Sequence, residues 1–501
     1  MSRAMPARHI LAIDQGTTSS RALLFDEAGR VLATAQKELT QHFPHDGWVE
    51  HDAEEIWRDT VAVCRDAVAA ANIEPGDIAA IGIANQRETT VLWERATGKP
   101  VHRAIVWQDR RTAERCRELQ RGGAAPLVAA RTGLVIDPYF SATKLAWLLD
   151  TVPGARTKAQ RGELCFGTVD SYLLFRLTGG AVHATDAANA SRTMLFDIGA
   201  QDWDAELLDL FGVPAALLPE VRDNAADFGA ATPDLFGRAI PIAGMAGDQQ
   251  AALVGQGCFA PGTIKSTYGT GCFALMNIGG EARASQHRLL TTVGYRLRGK
   301  TTYALEGSIF VAGAAIQWLR DGLRVLDSAA SSEAAAASRR PSGLYLVPAF
   351  TGMGAPHWVP EARGAMFGVT RDTTGDDLVR AALEAVCYQS RDLLDAFAAD
   401  SAMKPAAMRV DGGMARNDWM LQFLADMLGV TVERPALNEA TAFGAARLAA
   451  VGAGLCATPG DFGANGQLDR RFDPAMPQAR RDELYAGWKR AVEAVKAYTA
   501  S

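Results

Sequence analysis

The chain has no C-x-x-C pair. Its seven cysteines, at 64, 116, 165, 258, 272, 387 and 456, are scattered and odd in number, so neither a disulfide framework nor a zinc site is indicated. No apolar run of about twenty residues occurs, so no membrane-spanning helix is expected. Lys/Arg-rich runs are missing, and 51 basic against 57 acidic residues leave a net charge of −6. That balance argues against nucleic acid or an anionic membrane as partner. The N-terminus lacks an apolar signal region with a small-residue cleavage site; a strand pattern starts almost at once at His9-Ile10-Leu11. Together these absences read as a reduced, soluble, cytoplasmic protein.

What is present is a long α/β pattern. With 501 residues, 48% of them hydrophobic, the chain is too long for one core and suits two domains. Strand signals fall at 9–14, 21–26 and 30–38. Helical spacing of Ile56, Trp57, Thr60, Val61, Val63, Cys64, Ala67 and Val68 predicts a helix from Asp52 to Ala71. The apolar run Ile78 to Ala84 predicts a buried strand that ends at Asn85-Gln86-Arg87-Glu88. A charged pair at the carboxyl end of such a strand stands where ligands bind in open α/β sheets. Ile240 to Gly247 leads in the same way into Asp248-Gln249-Gln250, which opens a helix. The Gly- and Pro-bearing stretch 255–262 marks the boundary, giving domains of 1–255 and 256–501 with related cores and a cleft between them. The Ala/Ser-rich segment 329–340 reads as an exposed helix or loop without chemistry.

Two Gly/Thr turns carry the strongest signal. Asp14-Gln15-Gly16-Thr17-Thr18-Ser19-Ser20-Arg21 lies between two apolar strands, and so does Tyr268-Gly269-Thr270-Gly271. A hairpin tip of this kind aims several backbone N–H groups and a hydroxyl at one spot, which makes an anion nest. Asp14 lies in the first turn and Asp248 precedes the second, so the pair suggests phosphates and a metal held between two lobes. A third pattern, Gly294 to Thr301, satisfies G-x-x-x-x-G-K-[ST] but fails its structural requirement of a helix starting at the lysine. Alternation of Val293, Tyr295 and Leu297, then of Thr301, Tyr303 and Leu305, predicts a hairpin turning near Arg298-Gly299-Lys300.

On these turns, and on Asn85 to Thr90, Trp107 to Arg111, Ile136 to Ser141, Gly247 to Gln250 and Arg409 to Gly413, the sequence resembles the FGGY carbohydrate kinases. The resemblance runs from about Ile10 to Val451. It implies two actin-like (ribonuclease H-like) domains with ATP and Mg²⁺ in the cleft. It implies ATP-dependent phosphorylation of glycerol to sn-glycerol 3-phosphate; a kinase for erythritol, xylulose or gluconate is the alternative, and a non-kinase actin-like ATPase the more distant one. Family members are usually dimers or tetramers, so a homo-oligomer is expected, although no interface is visible in the sequence.

Phosphoryl transfer needs positioning, charge neutralisation and a group to take a proton. In this frame Gly16, Thr17, Thr18, Ser19, Gly269 and Thr270 face the phosphates, and Arg21 adds a cation. Asp14 is the expected Mg²⁺ ligand, partly through water. Asp248 is the expected general base and a second metal contact; a plain helix cap is the alternative. Arg87, Glu88, Tyr139 and Gln249 supply polar groups for vicinal hydroxyls, and Trp107 and Phe273 pack the carbon chain. Arg87 and Glu88 share a pocket only if the strand has already ended, since neighbours on a strand point to opposite faces. Gly313 and Gln317 match the family's ATP-contacting positions. Gly413 closes a Gly-Gly turn that lets adenine approach, and Asn417 can bond base or ribose. The His42-Phe43-Pro44-His45 segment suits no metal. The chain departs from the family at Asp234 to Ile240, which is shorter and glycine-poorer than the loop that binds fructose 1,6-bisphosphate in several bacterial members, and in the tail beyond Gly452.

Overall fold

The computed structural model describes residues 8–338, 343–359, 361–405, 407–436, 439–463 and 468–499. Its centre is two sheets. The first contains β1 (His9–Gln15), β2 (Ser19–Phe25), β3 (Val31–Glu38), β4 (Ile78–Asn85), β5 (Ala230–Ala231) and β6 (Ile240–Gly247), in the order β5-β6-β4-β1-β2-β3. β1, β2 and β3 form an antiparallel meander, while β4 and β6 run parallel to β1. Ile10, Leu11, Ala12 and Ile13 are all fully buried, because helices cover both faces of this sheet and its central strands can be apolar throughout.

The second sheet contains β7 (Ile264–Tyr268), β8 (Cys272–Gly279), β9 (Leu290–Leu297), β10 (Lys300–Ile309), β11 (Ala407–Asp411), β12 (Thr431–Pro435) and β13 (Leu468–Phe472), in the order β9-β10-β8-β7-β11-β12-β13. Here β7, β8 and β10 are antiparallel, and β11 and β12 run parallel to β7. The two sheets therefore repeat one topology: an antiparallel triple, then two parallel strands beside its first member.

The helices that matter here are α1 (Ala53–Ala71), α2 (Val169–Leu177), α3 (Asp248–Gly255), α4 (Gly313–Asp321), α5 (Gly375–Ser401), α6 (Asp418–Leu428), α7 (Ala440–Gly452) and α8 (Gln478–Thr499), with others between. α1 starts at Asp52, whose carboxylate accepts from Glu54 N at 2.9 Å, and stops at Asn72 in the left-handed region (φ 51°). Its Ile56, Val63, Cys64, Ala67 and Val68 join α2 against one face of the first sheet. α7 comes late in the chain yet packs on the other face of the first sheet, with Phe25, Ala80, Ala243 and Ala251. It crosses α3 so closely that a Cβ at Gly444 would overlap the Ala251 carbonyl. The second lobe packs α5, α6 and α8 onto its own core.

The segment resembling a P-loop is a hairpin. Leu297 pairs with Lys300 across Arg298 (φ 51°) and Gly299 (φ 73°), a two-residue turn with both residues left-handed. Residues 329–338 are helical, with Ser332 and Ala336 buried; 339 and 340 lie outside the described residues. The Asp234–Ile240 stretch is one helical turn, Pro233–Phe236, leading into β6, and Arg65 Nε donates to Leu235 O at 2.8 Å. Among the described residues no helix is long and apolar enough to cross a membrane.

Candidate active site

The first turn is built to present N–H groups. Its Gly16 carbonyl accepts from the Gln15 and Gln86 side chains, its Thr17 carbonyl from Gln41 Nε2 at 2.8 Å, and its Thr18 carbonyl from Leu39 N at 2.9 Å. In a trans peptide the N–H points opposite to the C=O, so the Thr17, Thr18 and Ser19 N–H groups point away from the lobe. The second turn does the same. Gly269 O accepts from Gly313 N at 3.0 Å, and Thr270 O accepts from Ala312 N and Ala314 N. The start of α4 thus docks on the turn, and a Cβ at Gly313 would press on the Gly269 carbonyl. Gly269 N is spent on Gly271 O at 2.9 Å, which leaves Thr270 and Gly271 as the donors of that turn.

Asp14 is the last residue but one of β1 and is 4% exposed. Arg21, expected to add a cation to the turn, closes back on Asp14: Nη2 lies 2.5 Å from Asp14 Oδ2, and Nη1 lies 2.7 Å from Glu439 Oε2. Burial pushes the Asp14 carboxyl up, Arg21 pulls it down, and the charge of Asp248 pushes it up again. The negative charge of Asp248 thus reaches Asp14. A divalent cation held between the two carboxylates would relieve that repulsion. Among the described residues no group of three or more His, Cys, Asp or Glu forms a metal cage, so such an ion would take its other ligands from water and phosphate, the usual habit of Mg²⁺.

β4 ends at Asn85, and Glu88 adopts φ 61°, a rare conformation for a non-glycine residue. That bend turns Arg87 and Glu88 toward the same place, with Arg87 Nε 3.8 Å from Glu88 Oε1. The Ser141 hydroxyl donates to Glu88 O at 3.0 Å and helps hold the bend. Arg87 Nε also lies 3.2 Å from Asp248 Oδ1, and Arg87 Nη2 donates to Tyr139 OH at 3.2 Å. The Trp107 ring stands edge-on to Tyr139 (5.6 Å) and to Phe273 (6.2 Å). Its Nε1 donates to Thr17 Oγ1 at 2.9 Å, which joins this aromatic group to the first turn. Asp248, part-exposed, opens α3, and its Oδ1 accepts from Gln249 N at 2.7 Å.

Several predicted residues are engaged differently from the sequence reading. The terminal fork of Arg87 is not open: both amino nitrogens bond Glu306. Gln249 Oε1 accepts from the buried Lys265 ammonium, whose pKa burial lowers while Asp411 and Asp248 pull it up. In the Gly-Gly turn the conformational demand falls on Gly412 (φ 90°), where a Cβ would strike the Tyr268 carbonyl; a Cβ at Gly413 would meet open space. Asn417 caps α6, its Oδ1 accepting from Met420 N at 2.8 Å and its Nδ2 donating to Ser332 Oγ at 3.2 Å. Gln317 is exposed on α4. The sequence reading missed Arg192, Lys265, Glu306 and Glu439. The available signal was a charge set in an apolar strand, as in Ala304-Leu305-Glu306 and Ile264-Lys265.

Two sheets of one topology, with Trp107 bonded to Thr17 of the first turn and set edge-on to Phe273 just after the second, define a two-lobed actin-like α/β protein. The chain belongs to the FGGY family of carbohydrate kinases: residues 9–255 match the model of its N-terminal domain and residues 264–453 that of its C-terminal domain. It is 63% identical to a glycerol kinase of Rhodospirillum rubrum over 97% of this chain and 98% of that one. It is 61% identical to glycerol kinase 1 of Pseudomonas aeruginosa over 98% and 99%. The structure of Plasmodium falciparum glycerol kinase with ADP superposes with a TM-score of 0.92 at 33% identity, covering 97% of this chain and 98% of that one.

Proposed function

We propose that the chain transfers the terminal phosphoryl group of ATP to glycerol, giving sn-glycerol 3-phosphate and ADP. The observation that carries this reading is Asp248: its carboxylate lies 3.2 Å from Arg87 Nε, Arg87 in turn meets Glu88 and Tyr139 of the Trp107–Tyr139–Phe273 aromatic group, and the Asp248 charge reaches Asp14. The glycerol kinases that match nearly the whole chain support glycerol over a longer sugar.

In this reading the aromatic edges pack the carbon chain, and Glu88 and Arg87 Nε bind hydroxyls. Asp248 takes the proton of the reacting hydroxyl as its oxygen bonds the terminal phosphorus. The bond from that phosphorus to the bridging oxygen breaks, and its electron pair leaves with ADP. Thr17, Thr18, Thr270 and Gly271 donate to the phosphates from opposite lobes, which fixes the in-line geometry. Asp14 and Asp248 are the residues that would hold Mg²⁺, which supplies charge neutralisation at the phosphates. Gly413 and the start of α4 are the proposed nucleoside side.

An ADP-release assay with glycerol, erythritol, xylulose and gluconate tests the proposal. Glycerol is expected to give the highest kcat/KM. A higher value with xylulose or gluconate, or no stimulation by any of the four, contradicts it.

A further inference from the structure

The ion cluster behind Arg87 carries one step more, and this step rests on the glycerol-phosphorylating reading above. Arg87 and Arg192 belong to the first lobe, whereas Glu306 lies on β10 of the second. All three are buried, Arg192 and Glu306 completely. Glu306 Oε2 accepts from Arg87 Nη1 at 2.6 Å; its Oε1 accepts from Arg87 Nη2 at 3.1 Å and from Arg192 Nη2 at 3.0 Å. Arg192 Nε then donates to Glu88 Oε1 at 2.7 Å. A single carboxylate of one lobe thus fixes, directly or through Arg192, both charged residues assigned to the polyol hydroxyls.

Lobe cohesion alone does not call for this arrangement. Removing charges from water costs so much that a buried ion cluster is often no more stabilising than apolar residues of the same volume. What the cluster does that apolar packing cannot is set the direction of a guanidinium. With its terminal fork held by Glu306, Arg87 presents Nε to Asp248 and one remaining edge to Tyr139.

We infer that Glu306 is a positioning residue for the polyol site, so that Arg87 and Glu88 take their working geometry only while the second lobe delivers this carboxylate. Arg192 and Arg87 hold Glu306 down to about 2, so it remains ionised throughout the neutral range. The inference predicts a selective defect. The bonds of Arg87, Arg192 and Glu306 run to one another, Glu88, Tyr139, Gln250 and Asp248 rather than to either nucleotide turn, so glycerol recognition suffers and nucleotide recognition does not.

The test uses Glu306→Gln, which keeps the shape and removes the charge, and Arg192→Lys, which keeps the charge and removes the fork. KM for glycerol and for ATP are measured separately, alongside circular dichroism and the rise in Tm caused by glycerol. Expected are a roughly 10- to 100-fold higher KM for glycerol, the range for losing a charged hydrogen bond, an ATP KM within about twofold, and a smaller glycerol-induced Tm rise. Unchanged KM for glycerol in a folded variant, or equal rises in both KM values, overturns the inference. Should Glu306→Gln fail to fold, Arg192→Lys decides by the same criteria. Wild-type turnover with glycerol in the same experiment separates failure of this inference from failure of the reading beneath it.

Discussion

Arg21 and Asp14 form a closed pair at the tip of the first hairpin, with Nη2 2.5 Å from Oδ2. β1 and β2 pair so that Asp14 stands opposite Arg21, and the turn between them brings the cation back over the carboxylate. The residue expected to meet metal is therefore already partly neutralised by its own hairpin. Burial and Asp248 raise the Asp14 pKa, and Arg21 opposes both.

This relationship fixes the sign of a pH effect. Removing the positive charge in Arg21→Gln takes away a force that lowers the Asp14 pKa, so Asp14 protonates at higher pH. The acidic limb of kcat/KM for ATP should move upward in the variant. A limb that stays in place would show that Asp14 does not act as an ionised group in nucleotide use.

Trp107 links the aromatic group to the first turn through its bond to Thr17. Trp107→Phe keeps an aromatic edge and removes the N–H. One neutral hydrogen bond is worth about 0.5–1.5 kcal/mol, so KM for both glycerol and ATP should rise roughly 2- to 10-fold. A rise confined to glycerol would mean that the bond to Thr17 does not position the turn.

The crossing of α3 and α7 gives a prediction about stability. Gly444→Ala places a methyl group against the Ala251 backbone in the layer on which the first sheet rests. Overpacking at a tight contact costs about 1–3 kcal/mol, so thermal unfolding should begin several degrees lower. An unchanged Tm would show that the helices separate without cost.

Much of the fold was legible because strand and helix periods are local. The meander at 9–38, α1, β4 and β6 lie within a residue or two of their predicted spans, and the turn at Arg298-Gly299 was readable from alternation on either side. The grouping of Arg87 with Glu88 was readable only as a condition; the left-handed Glu88 that meets it cannot be seen in a sequence. Glu306 and Arg192 were illegible for a different reason. Their partners lie more than a hundred positions away, so a charge in an apolar strand such as Glu306 signals burial but does not name the residue it pairs with. Asn417 shows the converse: an Asn before a helical run is a capping residue by local chemistry, and the structure gives it that task.

Asp248 bears the most weight, and its replacement by Asn is the direct test. The carboxamide keeps the shape beside Arg87 but cannot take a proton. With saturating ATP, Mg²⁺ and glycerol, kcat of Asp248→Asn should fall at least ~100-fold, the low end for removing a general base, while circular dichroism and Tm stay near wild type. Near-normal turnover by the folded variant would contradict the account.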